Sequence, residues 1–516
     1  MKFKGYRKSE SKLVNLLWLL SEIVSGLLGY RTVRLEGVGR QKNMSQYSSK
    51  SFWVLLVLAF GACGNVTAEG VKEIGTLEEL ADCAGKSGQI VRMASGVYSL
   101  SDLLTEKGIE DRVQEAAERA ERSVSKRHEA AMILFSGSDN SFDLSDVVIE
   151  VDTTFLSAFE DCYTVELMLT GNRNVVKGLT LRDVGNEPTK RGGVSLAVYG
   201  DNVTLSGVSL HVRGSAPYGY GDLLGKGKNS VVKLGKHSGL LVCGDNTRLI
   251  GCGVINQSFG HCFFIQGGSN TYFENCYAEG EMRSTDDMLS ETSGVAFENG
   301  FKTVYRPNII QPGYMKSLNE CGFRTYGQGG PRKRKTGKVT LLNCTAKNVR
   351  VGFALAANHQ TDPVDIGGCE AIGCERGYYL EKASVVDSRG DAKYGPLIYL
   401  VGDEPSVIEL TLTSDTSDRI VHAVATISGK GHEIVLDGDR PLEHPIMIGY
   451  KPPSAGEISL PIPEASAEGV QFFNHTSMPI MVSELAKECI VYSNTNIQSS
   501  GIDMKFIRNA KVGSSL

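Results

Sequence analysis

A phrase that returns after 24 residues constrains the fold of this chain more than any other feature. Gly244-Asp245-Asn246, with Cys252 six residues later, reappears as Gly268-Ser269-Asn270 with Cys276. Repeats of about 20 to 50 residues are typical of solenoids and propellers, because one repeat buries its apolar face only when the next stacks on it. The spacing therefore predicts coils stacked along one axis.

From about residue 131 the chain consists of short β-branched runs with the alternation of strands, such as residues 147–151, 174–181 and 202–210. No long helical pattern separates these runs, which argues against a sheet of βαβ units. A propeller would place four strands in each repeat of about 40 to 45 residues. We therefore predict an all-β right-handed parallel β-helix, in which residues one coil apart lie about 4.8 Å from each other.

The ends and insertions of this solenoid are also visible in the sequence. Residues 76–84 predict an amphipathic helical turn and residues 88–98 a strand, which together would cap the first coil and cover its edge. Residues 103–130, rich in Glu, Arg, Lys and Ala, predict a charged helical insertion. Residues 212–230 and 281–337 predict loop excursions, where function concentrates. The β-helix domain is predicted over residues 69–500, with a tail at 501–516.

Two residue types recur at fixed places in the coils. Asparagine opens the coil at positions 174, 202, 246 and 270, which predicts a ladder of hydrogen-bonded side chains at one corner. Cysteine recurs at positions 252, 276, 344 and 369, which predicts a column that faces inward. Since cysteine packs as a small apolar residue, free thiols are favoured over the disulfides that export would permit.

The N-terminal region indicates export. The apolar run 52–60 follows Lys50 and precedes Val66-Thr67-Ala68, the plan of a signal peptide whose natural start is Met44. The run is too short to cross about 30 Å of hydrocarbon, so no stable transmembrane segment is predicted. Residues 1–68 are assigned to an upstream extension and a signal peptide with its core at about 44–68. The protein is predicted to be secreted or periplasmic, with an outer-membrane lipoprotein anchored at Cys63 as the alternative.

The charge balance excludes one class of partner. The net charge is -5 and the isoelectric point is near 6.1. A protein that binds nucleic acid through phosphate contacts needs a basic surface. We therefore expect no nucleic-acid partner.

The capping helix, the strand at 88–98, coils of 22 to 25 residues and the asparagine ladder resemble the pectate-lyase-like superfamily. The resemblance covers about residues 75–495 and implies the right-handed parallel β-helix fold. That superfamily contains lyases, hydrolases, esterases and phage tailspikes, so the fold alone does not assign the chemistry.

The coil spacing also predicts a site. His237, His261 and Asp286 are separated by 24 and 25 residues, which would place them in one vertical file. Acids, bases and histidines on a single wall form a candidate active site. The residues expected beside the file are Lys236, Arg283, Asp287, Glu291, Glu320, Arg324 and Tyr326.

Each of these features has a structural alternative. The two histidines fit a polar ladder on the outer surface. Asp286 and Asp287 fit the first turn of a short helix capped by Ser284 or Thr285. The basic run 332–335 fits a solvated loop, and its functional interpretation is the steering of a polyanion.

A lyase is the first functional hypothesis. Lys236-His-Ser and Gly260-His261-Cys262 resemble the Lys-Ser and Arg-His-Gly elements of alginate and chondroitin lyases. The resemblance implies Lys236 or His261 as the base and Arg283 or Arg324 as the clamp for the sugar carboxylate. Glycine stands here where those enzymes have arginine, and no Glu-x-Glu pair precedes Lys236 to hold calcium.

The predicted substrate is an acidic polysaccharide or oligosaccharide, cleaved by β-elimination. We assign catalysis to Lys236, His261, Asp286, Asp287 and Arg324, and substrate binding to His237, Arg283, Glu320 and Tyr326. The cofactor is open, with Ca²⁺ at Asp286 and Asp287 as the candidate.

A glycoside hydrolase is the second hypothesis, with two carboxyl groups among Asp286, Asp287, Glu291 and Glu320 as acid and base. Gly260-His261 and the adjacent aspartates also resemble polygalacturonase-type hydrolases, in the opposite chain order. A non-catalytic surface or carbohydrate-binding β-helix is the third.

Overall fold

A computed structural model describes residues 70–508, apart from 160–161, 228, 357–361, 414–416, 439–443 and 451–463. The predicted signal peptide and Cys63 lie outside the described residues. Within them, every helix is too short or too polar to cross a bilayer.

Parallel strands dominate the described part of the chain and form two long sheets. The thirteen-stranded sheet consists of Glu129–Phe135, Tyr163–Leu169, Gly193–Val198, His237–Val242, Phe263–Gln266, Cys321–Tyr326, Val351–Ala354, Tyr378–Leu380, Ile398–Leu400, Ala425–Ile427, Ile446–Ile448, Ile480–Val482 and Ile497–Ser499. The twenty-three-stranded sheet consists of Lys72–Ile74, Ile90–Met93, Gly96–Ser99, Ser141–Asp143, Val147–Asp152, Val175–Lys177, Thr180–Val184, Thr204–Ser206, Ser209–Val212, Arg248–Ile250, Gly253–Asn256, Thr271–Glu274, Tyr277–Glu279, Val339–Leu342, Thr345–Lys347, Val364–Gly367, Glu370–Ile372, Ala383–Gly390, Val407–Leu412, Glu433–Asp437, Gln471–Asn474, Ile490–Tyr492 and Lys505–Ile507.

A regular coil contributes one strand to the first sheet and two to the second, and each strand pairs in parallel with its equivalent in the next coil. Leu240 lies opposite Phe263, for example, and Gly253 lies opposite Tyr277. Parallel strands of one sheet are joined by right-handed crossovers. The predicted right-handed parallel β-helix is therefore confirmed, and it continues to Lys505–Ile507, within the segment that the sequence assigned to a tail.

The N-terminal cap forms as predicted. The helix Leu77–Ala84 begins at Thr76, whose side chain accepts from Glu79 N in a capping box, and it buries Leu77 and Leu80 against the first coil. The predicted strand at 88–98 is two strands, Ile90–Met93 and Gly96–Ser99, because the chain turns a corner between them.

The charged helical insertion is shorter than its predicted range of 103–130. The helix spans Glu106–Arg122 and buries Ala116 and Ala120. The apolar segment Glu129–Phe135 instead forms the first strand of the thirteen-stranded sheet.

Stacked side chains fill the interior. The predicted cysteine column is confirmed: Cys252, Cys276, Cys344 and Cys369 are buried free thiols. A second column stacks Phe263, Phe323, Phe353 and Tyr378, with ring centroids 5.0, 5.2 and 4.8 Å apart. These aromatic rings fix the register of the strands whose outer side chains form the candidate site.

The asparagine ladder forms over three coils. Asn246 Nδ2 donates to Asn202 Oδ1 at 3.2 Å, and Asn270 Nδ2 donates to Asn246 Oδ1 at 3.1 Å. All three residues have φ between 54° and 60°, a left-handed conformation that asparagine tolerates.

Asn174 does not belong to this ladder, although the sequence placed it there. Val175 lies opposite Thr204, so Asn174 is one residue out of the file. Its Oδ1 instead accepts from Asn140 N at 3.0 Å, one coil earlier.

The predicted excursion at 281–337 is interrupted by a core strand. Its first part contains the helices Thr285–Leu289 and Val295–Glu298 and the antiparallel pair Met282–Ser284 and Met315–Ser317. The chain then returns to the thirteen-stranded sheet with Cys321–Tyr326 before a second hairpin, Gln328–Gly329 with Arg334–Lys335. Shorter elements elsewhere are the helix Thr154–Ala158, the 3₁₀ turn Leu100–Asp102 and a small sheet of Gly429–Lys430, Ala467–Glu468 and Ala486–Lys487.

Candidate active site

The register of the thirteen-stranded sheet separates the two histidines that the sequence placed in one file. Leu240 lies opposite Phe263, so the residue beside His261 is Ser238, whose Oγ accepts from His261 N at 3.2 Å. His237 lies one residue away, and its side chain is fully buried. Because neighbouring side chains of a strand point to opposite faces, the two histidines diverge.

His261 instead joins a group that we name the outer cluster: Lys236, His261, Glu320 and Tyr326. Lys236 Nζ lies 3.0 Å from Glu320 Oε1, and His261 Nε2 lies 3.4 Å from Glu320 Oε2. Tyr326 Oη is 2.7 Å from His261 Nε2. The Lys236 side chain is 31% exposed and that of His261 is 6% exposed, so the cluster reaches the surface through its lysine and through the half-buried Tyr326.

Two arginines flank the outer cluster. Arg324 and Tyr326 project from the same face of the strand Cys321–Tyr326, and the guanidinium lies 4.9 Å from the centre of the Tyr326 ring. Arg350 Nη2 lies 3.5 Å from Glu320 Oε1. Glu320 therefore sits among positive charges.

The surroundings set the protonation states of the cluster. Burial, followed by the Arg324 and Lys236 charges, outweighs the attraction of Glu320 and lowers the pKa of His261 to about 3. Burial opposes ionisation of Glu320, but His261, Lys236 and Arg350 outweigh it and lower its pKa to about 2. Burial and the Glu320 charge raise the pKa of Tyr326. At neutral pH the cluster holds a neutral imidazole, a carboxylate and a protonated phenol.

Asp286 and Asp287 lie elsewhere, which corrects the predicted file. The chain leaves the coil after Tyr277–Glu279 and returns at Cys321, so the residue one coil beyond His261 is Cys321 and not Asp286. Both aspartates are exposed in the first turn of Thr285–Leu289, where the Ser284 side chain accepts from Asp287 N at 3.0 Å. Asp286 pairs with Arg419 and accepts from Gly313 N at 3.0 Å. The two aspartates therefore lie in the first turn of a short helix capped by Ser284, which is the structural alternative given above.

Arg283 is engaged within the excursion. Its Nη2 lies 2.6 Å from Glu291 Oε1, and its Nη1 donates to Gly219 O at 3.2 Å. Tyr220 Oη donates to the other Glu291 oxygen at 2.8 Å. Arg283 therefore forms an ion pair with Glu291 inside the excursion. Arg324 is the arginine that lies beside the outer cluster.

Sequence reasoning missed the buried ionic network behind Glu320. Arg350 Nη1 lies 3.0 Å from Asp222 Oδ2, and Lys316 lies 3.0 Å from Asp222 and 2.8 Å from Glu375 with its side chain fully buried. Cys321 lies opposite Val351, so Arg350 follows Glu320 by one coil. The coil spacing would have predicted Arg350 next to Glu320 if the sequence had shown that the excursion ends before Glu320.

His237 lies in a separate group that we name the inner cluster: Glu166, Asp183 and His237. His237 Nε2 lies 3.1 Å from Glu166 Oε1, and Nδ1 lies 3.4 Å from Asp183 Oδ2. Burial raises the pKa of Glu166 to about 7, and burial and the neighbouring Glu166 raise the pKa of Asp183. His237 was predicted to bind substrate on the wall of the solenoid, but its burial removes it from that surface.

The basic run 332–335 lies in a largely exposed hairpin, and two of its four side chains are paired with aspartates. Arg332 lies 3.0 Å from Asp201 and Arg334 lies 2.6 Å from Asp245. Both line a cavity of about 420 Å³ together with Tyr199 and arginines of the charged helix region. Since the arginines of this hairpin are already paired with aspartates, the cavity is less positive than the sequence suggests.

Comparison with known proteins leaves the function to be argued from the site. No protein-family model matches the chain, and no curated protein matches it. Among solved structures, it resembles a mannuronic acid specific polysaccharide family 6 lyase from the human gut microbiota at 10% identity, covering 84% of this chain and 83% of that one, with a TM-score of 0.39.

Two further solved structures show the range of proteins at this level of similarity. A mutant of the periplasmic alginate epimerase AlgG is 7% identical over 92% of this chain and 100% of that one, with a TM-score of 0.28. The Streptococcus pneumoniae surface adhesin PfbA is 11% identical over 81% of this chain and 93% of that one, with a TM-score of 0.27.

Proposed function

We propose that this protein is an exported lyase that cleaves an acidic, uronate-containing polysaccharide by β-elimination. The observation that carries the proposal is the 2.7 Å contact between His261 Nε2 and Tyr326 Oη, beside Lys236 and Arg324. β-Elimination needs a group that takes the proton next to the sugar carboxylate, a group that protonates the leaving oxygen, and positive charge that stabilises the carboxylate.

The outer cluster offers each of these groups. Burial lowers the pKa of His261 to about 3 and keeps the ring neutral at neutral pH, and its Nε2 faces the Tyr326 hydroxyl. Tyr326 keeps its phenolic proton and is the more exposed member of the pair. Over 2.7 Å a proton can pass between the two side chains. Tyr326 would meet the sugar, and His261 would hold or return the proton behind it.

The cations complete the arrangement. Arg324 lies against Tyr326 and would hold the uronate carboxylate, since a guanidinium binds a carboxylate through two parallel hydrogen bonds. Lys236 Nζ lies 3.0 Å from Glu320 Oε1 in an ion pair, which places it as a cation of the site and not as the base. As Tyr326 passes its proton to His261, the phenol oxygen takes the proton of the ring carbon, and the electrons of that carbon–hydrogen bond form the carbon–carbon double bond. The bond to the leaving oxygen breaks, that oxygen takes the proton from Tyr326, and His261 returns its proton to Tyr326.

The hydrolase hypothesis has weaker support. A general acid must hold a proton near neutral pH, but the charges around Glu320 lower its pKa to about 2. Asp286 is bound to Arg419 in the excursion. These placements disfavour a pair of acid and base carboxyl groups at the outer cluster.

The test is incubation with a panel of uronate and sulfated polymers. We expect ultraviolet absorbance from unsaturated sugar ends to rise together with new reducing ends. Reducing ends without unsaturation would overturn the lyase in favour of a hydrolase, and binding without either product would favour the non-catalytic alternative.

Variants connect the activity to the site. His261→Gln should abolish the unsaturated product, and Lys236→Ala should weaken it, with the melting temperature of Lys236→Ala nearly unchanged because that side chain is partly exposed. His475→Gln is the matched control, since His475 is 44% exposed and pairs with Asp437 on the other sheet. Full activity in both site variants would remove the outer cluster from the reaction.

A further inference from the structure

The inner cluster is a buried group of metal-binding side chains that the proposed reaction does not use. The side chains of Glu166, Asp183 and His237 are 0%, 1% and 0% exposed. Asp183 lies opposite Val151, a core residue, so its carboxylate faces the interior of the solenoid. The three residues come from three different strands.

A glycine gives these side chains the room to meet. Glu166 and His237 lie two strands apart in the thirteen-stranded sheet, with Gly193–Val198 between them. A Cβ atom at Gly193 would lie 3.0 Å from His237 Cδ2 and 2.4 Å from Thr164 Oγ1. Any larger residue at Gly193 would therefore push against the imidazole that reaches across to Glu166.

The orientation of the imidazole is that of a metal ligand. His237 Nδ1 is hydrogen-bonded to Arg213 O, and a carbonyl oxygen can only accept, so Nδ1 carries a proton. In the neutral ring, Nε2 then directs its lone pair toward Glu166 Oε1 at 3.1 Å and Ser195 Oγ at 3.5 Å. Metal-binding histidines are held in this way by a carbonyl at the second nitrogen. A lone pair that faces a carboxylate needs a cation or a proton between them.

The negative charges of Glu166 and Asp183 are not balanced by a neighbouring cation in the described part of the chain. Asp183 Oδ2 accepts from Arg213 N at 2.7 Å, but both oxygens of Glu166 and Oδ1 of Asp183 are buried without a hydrogen-bond partner. Two buried carboxylates beside one imidazole leave excess negative charge, which is costly in a low-dielectric interior. Glu375 is also fully buried, but Lys316 lies 2.8 Å from it. Within the described residues the inner cluster has no such lysine or arginine partner.

We propose that the inner cluster binds one divalent transition-metal ion through His237 Nε2 and an oxygen each of Glu166 and Asp183. One nitrogen of His237 and one oxygen of each carboxylate lie within 4.8 Å of one another, a spacing that one ion can bridge. An imidazole with two carboxylates suits Zn²⁺, Mn²⁺ or Fe²⁺, whereas Ca²⁺ prefers a shell of oxygen atoms. The ion is structural: it ties three strands of the solenoid together from inside.

The test uses the full chain and measures metal directly. The protein is incubated with Zn²⁺ or Mn²⁺, desalted, and analysed by elemental mass spectrometry. We expect close to one retained ion per chain and a melting temperature that rises with metal concentration, because binding to the folded state stabilises it. No retained ion and an unchanged melting temperature in the wild type would overturn the proposal and leave a shared proton as the neutralising cation.

A matched pair of variants locates the ion. Glu166→Gln keeps the shape of the side chain but weakens its binding to metal, so the retained ion should be lost. Glu375→Gln removes a different buried carboxylate and should keep the ion. Equal metal content in Glu166→Gln and the wild type would overturn the assignment.

A spectroscopic measurement on the wild type covers the case in which Glu166→Gln fails to fold. Co²⁺ should give visible absorption bands of a site with nitrogen and oxygen ligands, and Zn²⁺ should displace them. The absence of such bands would count against the site. None of these measurements requires enzymatic activity, so their results test the metal site independently of the lyase proposal.

Discussion

The inner and outer clusters contain the same kinds of residue and behave in opposite ways. Each combines a histidine with carboxylate, and Lys236 and His237 are consecutive in the chain yet belong to different clusters. In the outer cluster, cations lower the pKa of Glu320 to about 2. In the inner cluster, burial raises the pKa of Glu166 to about 7. Both glutamates are buried, so neighbouring positive charge, more than residue type, decides what each can do.

The difference separates two roles along one strand. Successive side chains of a strand point alternately to the surface and to the interior, so one coil can carry both the surface residues of a candidate active site and buried structural residues. A histidine in such a repeat is therefore a candidate for catalysis or for structure according to its face, and the two can be told apart by experiment.

The largest expected effect is on the outer cluster. Tyr326→Phe removes the hydroxyl that contacts His261 and should lower the rate of product formation by about 10²- to 10⁴-fold, the usual contribution of proton transfer. Initial rates on the best substrate of the panel measure this loss. Tyr272→Phe is the control, since its hydroxyl donates to Glu274 on the other sheet, and equal losses in the two variants would contradict a specific role for Tyr326.

The inner cluster should respond in stability. His237→Ala leaves Glu166 and Asp183 buried without their partner, which should lower the free energy of unfolding by about 3 to 5 kcal/mol. His475→Ala removes an exposed partner of Asp437 and should cost at most about 1 kcal/mol. Chemical denaturation of both variants gives the comparison. Similar small losses would mean that the inner cluster is not the buried charge group described above.

The pH dependence of stability should distinguish His261 from an exposed histidine. Its pKa falls from 6.5 in the unfolded chain to about 3 in the folded one, so between these values only the unfolded state binds the proton. Stability should therefore fall as the pH falls from 6.5 towards 3, by up to about 1.4 kcal/mol per pH unit. Glu320 acts in the same direction, since its stabilisation is lost between pH 4.5 and about 2.

The measurement is the unfolding free energy of the wild type and His261→Gln from pH 7 to 5. The variant should show a shallower loss, because the proton uptake of that histidine is gone. Parallel curves would show that His261 titrates normally in the folded protein.

The smallest effect concerns the ladder that holds the register of both clusters. Asn246→Gly keeps the left-handed backbone and removes the side-chain bonds to Asn202 and Asn270, which should cost about 1 kcal/mol. Asn246→Ala should cost about 1 kcal/mol more, because alanine is strained at a φ of 54°. Melting curves of the two variants test the order, and alanine at or above glycine in stability would contradict it.

Much of the fold was predictable because it rests on local repetition. The amphipathic helix near residues 76–84 and the column Cys252, Cys276, Cys344 and Cys369 followed from spacing and residue type alone. The error at Asn174 shows the limit, since one extra residue in a coil moves a side chain to the next file.

The sequence predicted most residues of the candidate site but not how they are arranged. Lys236, His261, Glu320, Arg324 and Tyr326 were all named from the sequence, and the structure brings them together. Asp286 was assigned to the same file by counting residues, but the chain had already left the coil there. Arg350 went unnoticed because its partner Glu320 was assigned to a loop.

The sequence by itself determined the stacked coil, since each repeat carries its own strand pattern, turn residues and apolar positions. Only the tertiary structure decided where the long excursion ends and which face each side chain takes. A shift of one residue in register exchanges inside and outside, and that register depends on contacts between coils, such as the stack of Phe263, Phe323 and Phe353. For this reason His261 meets Tyr326 at the surface while His237, with the same apparent spacing, is enclosed with Glu166 and Asp183.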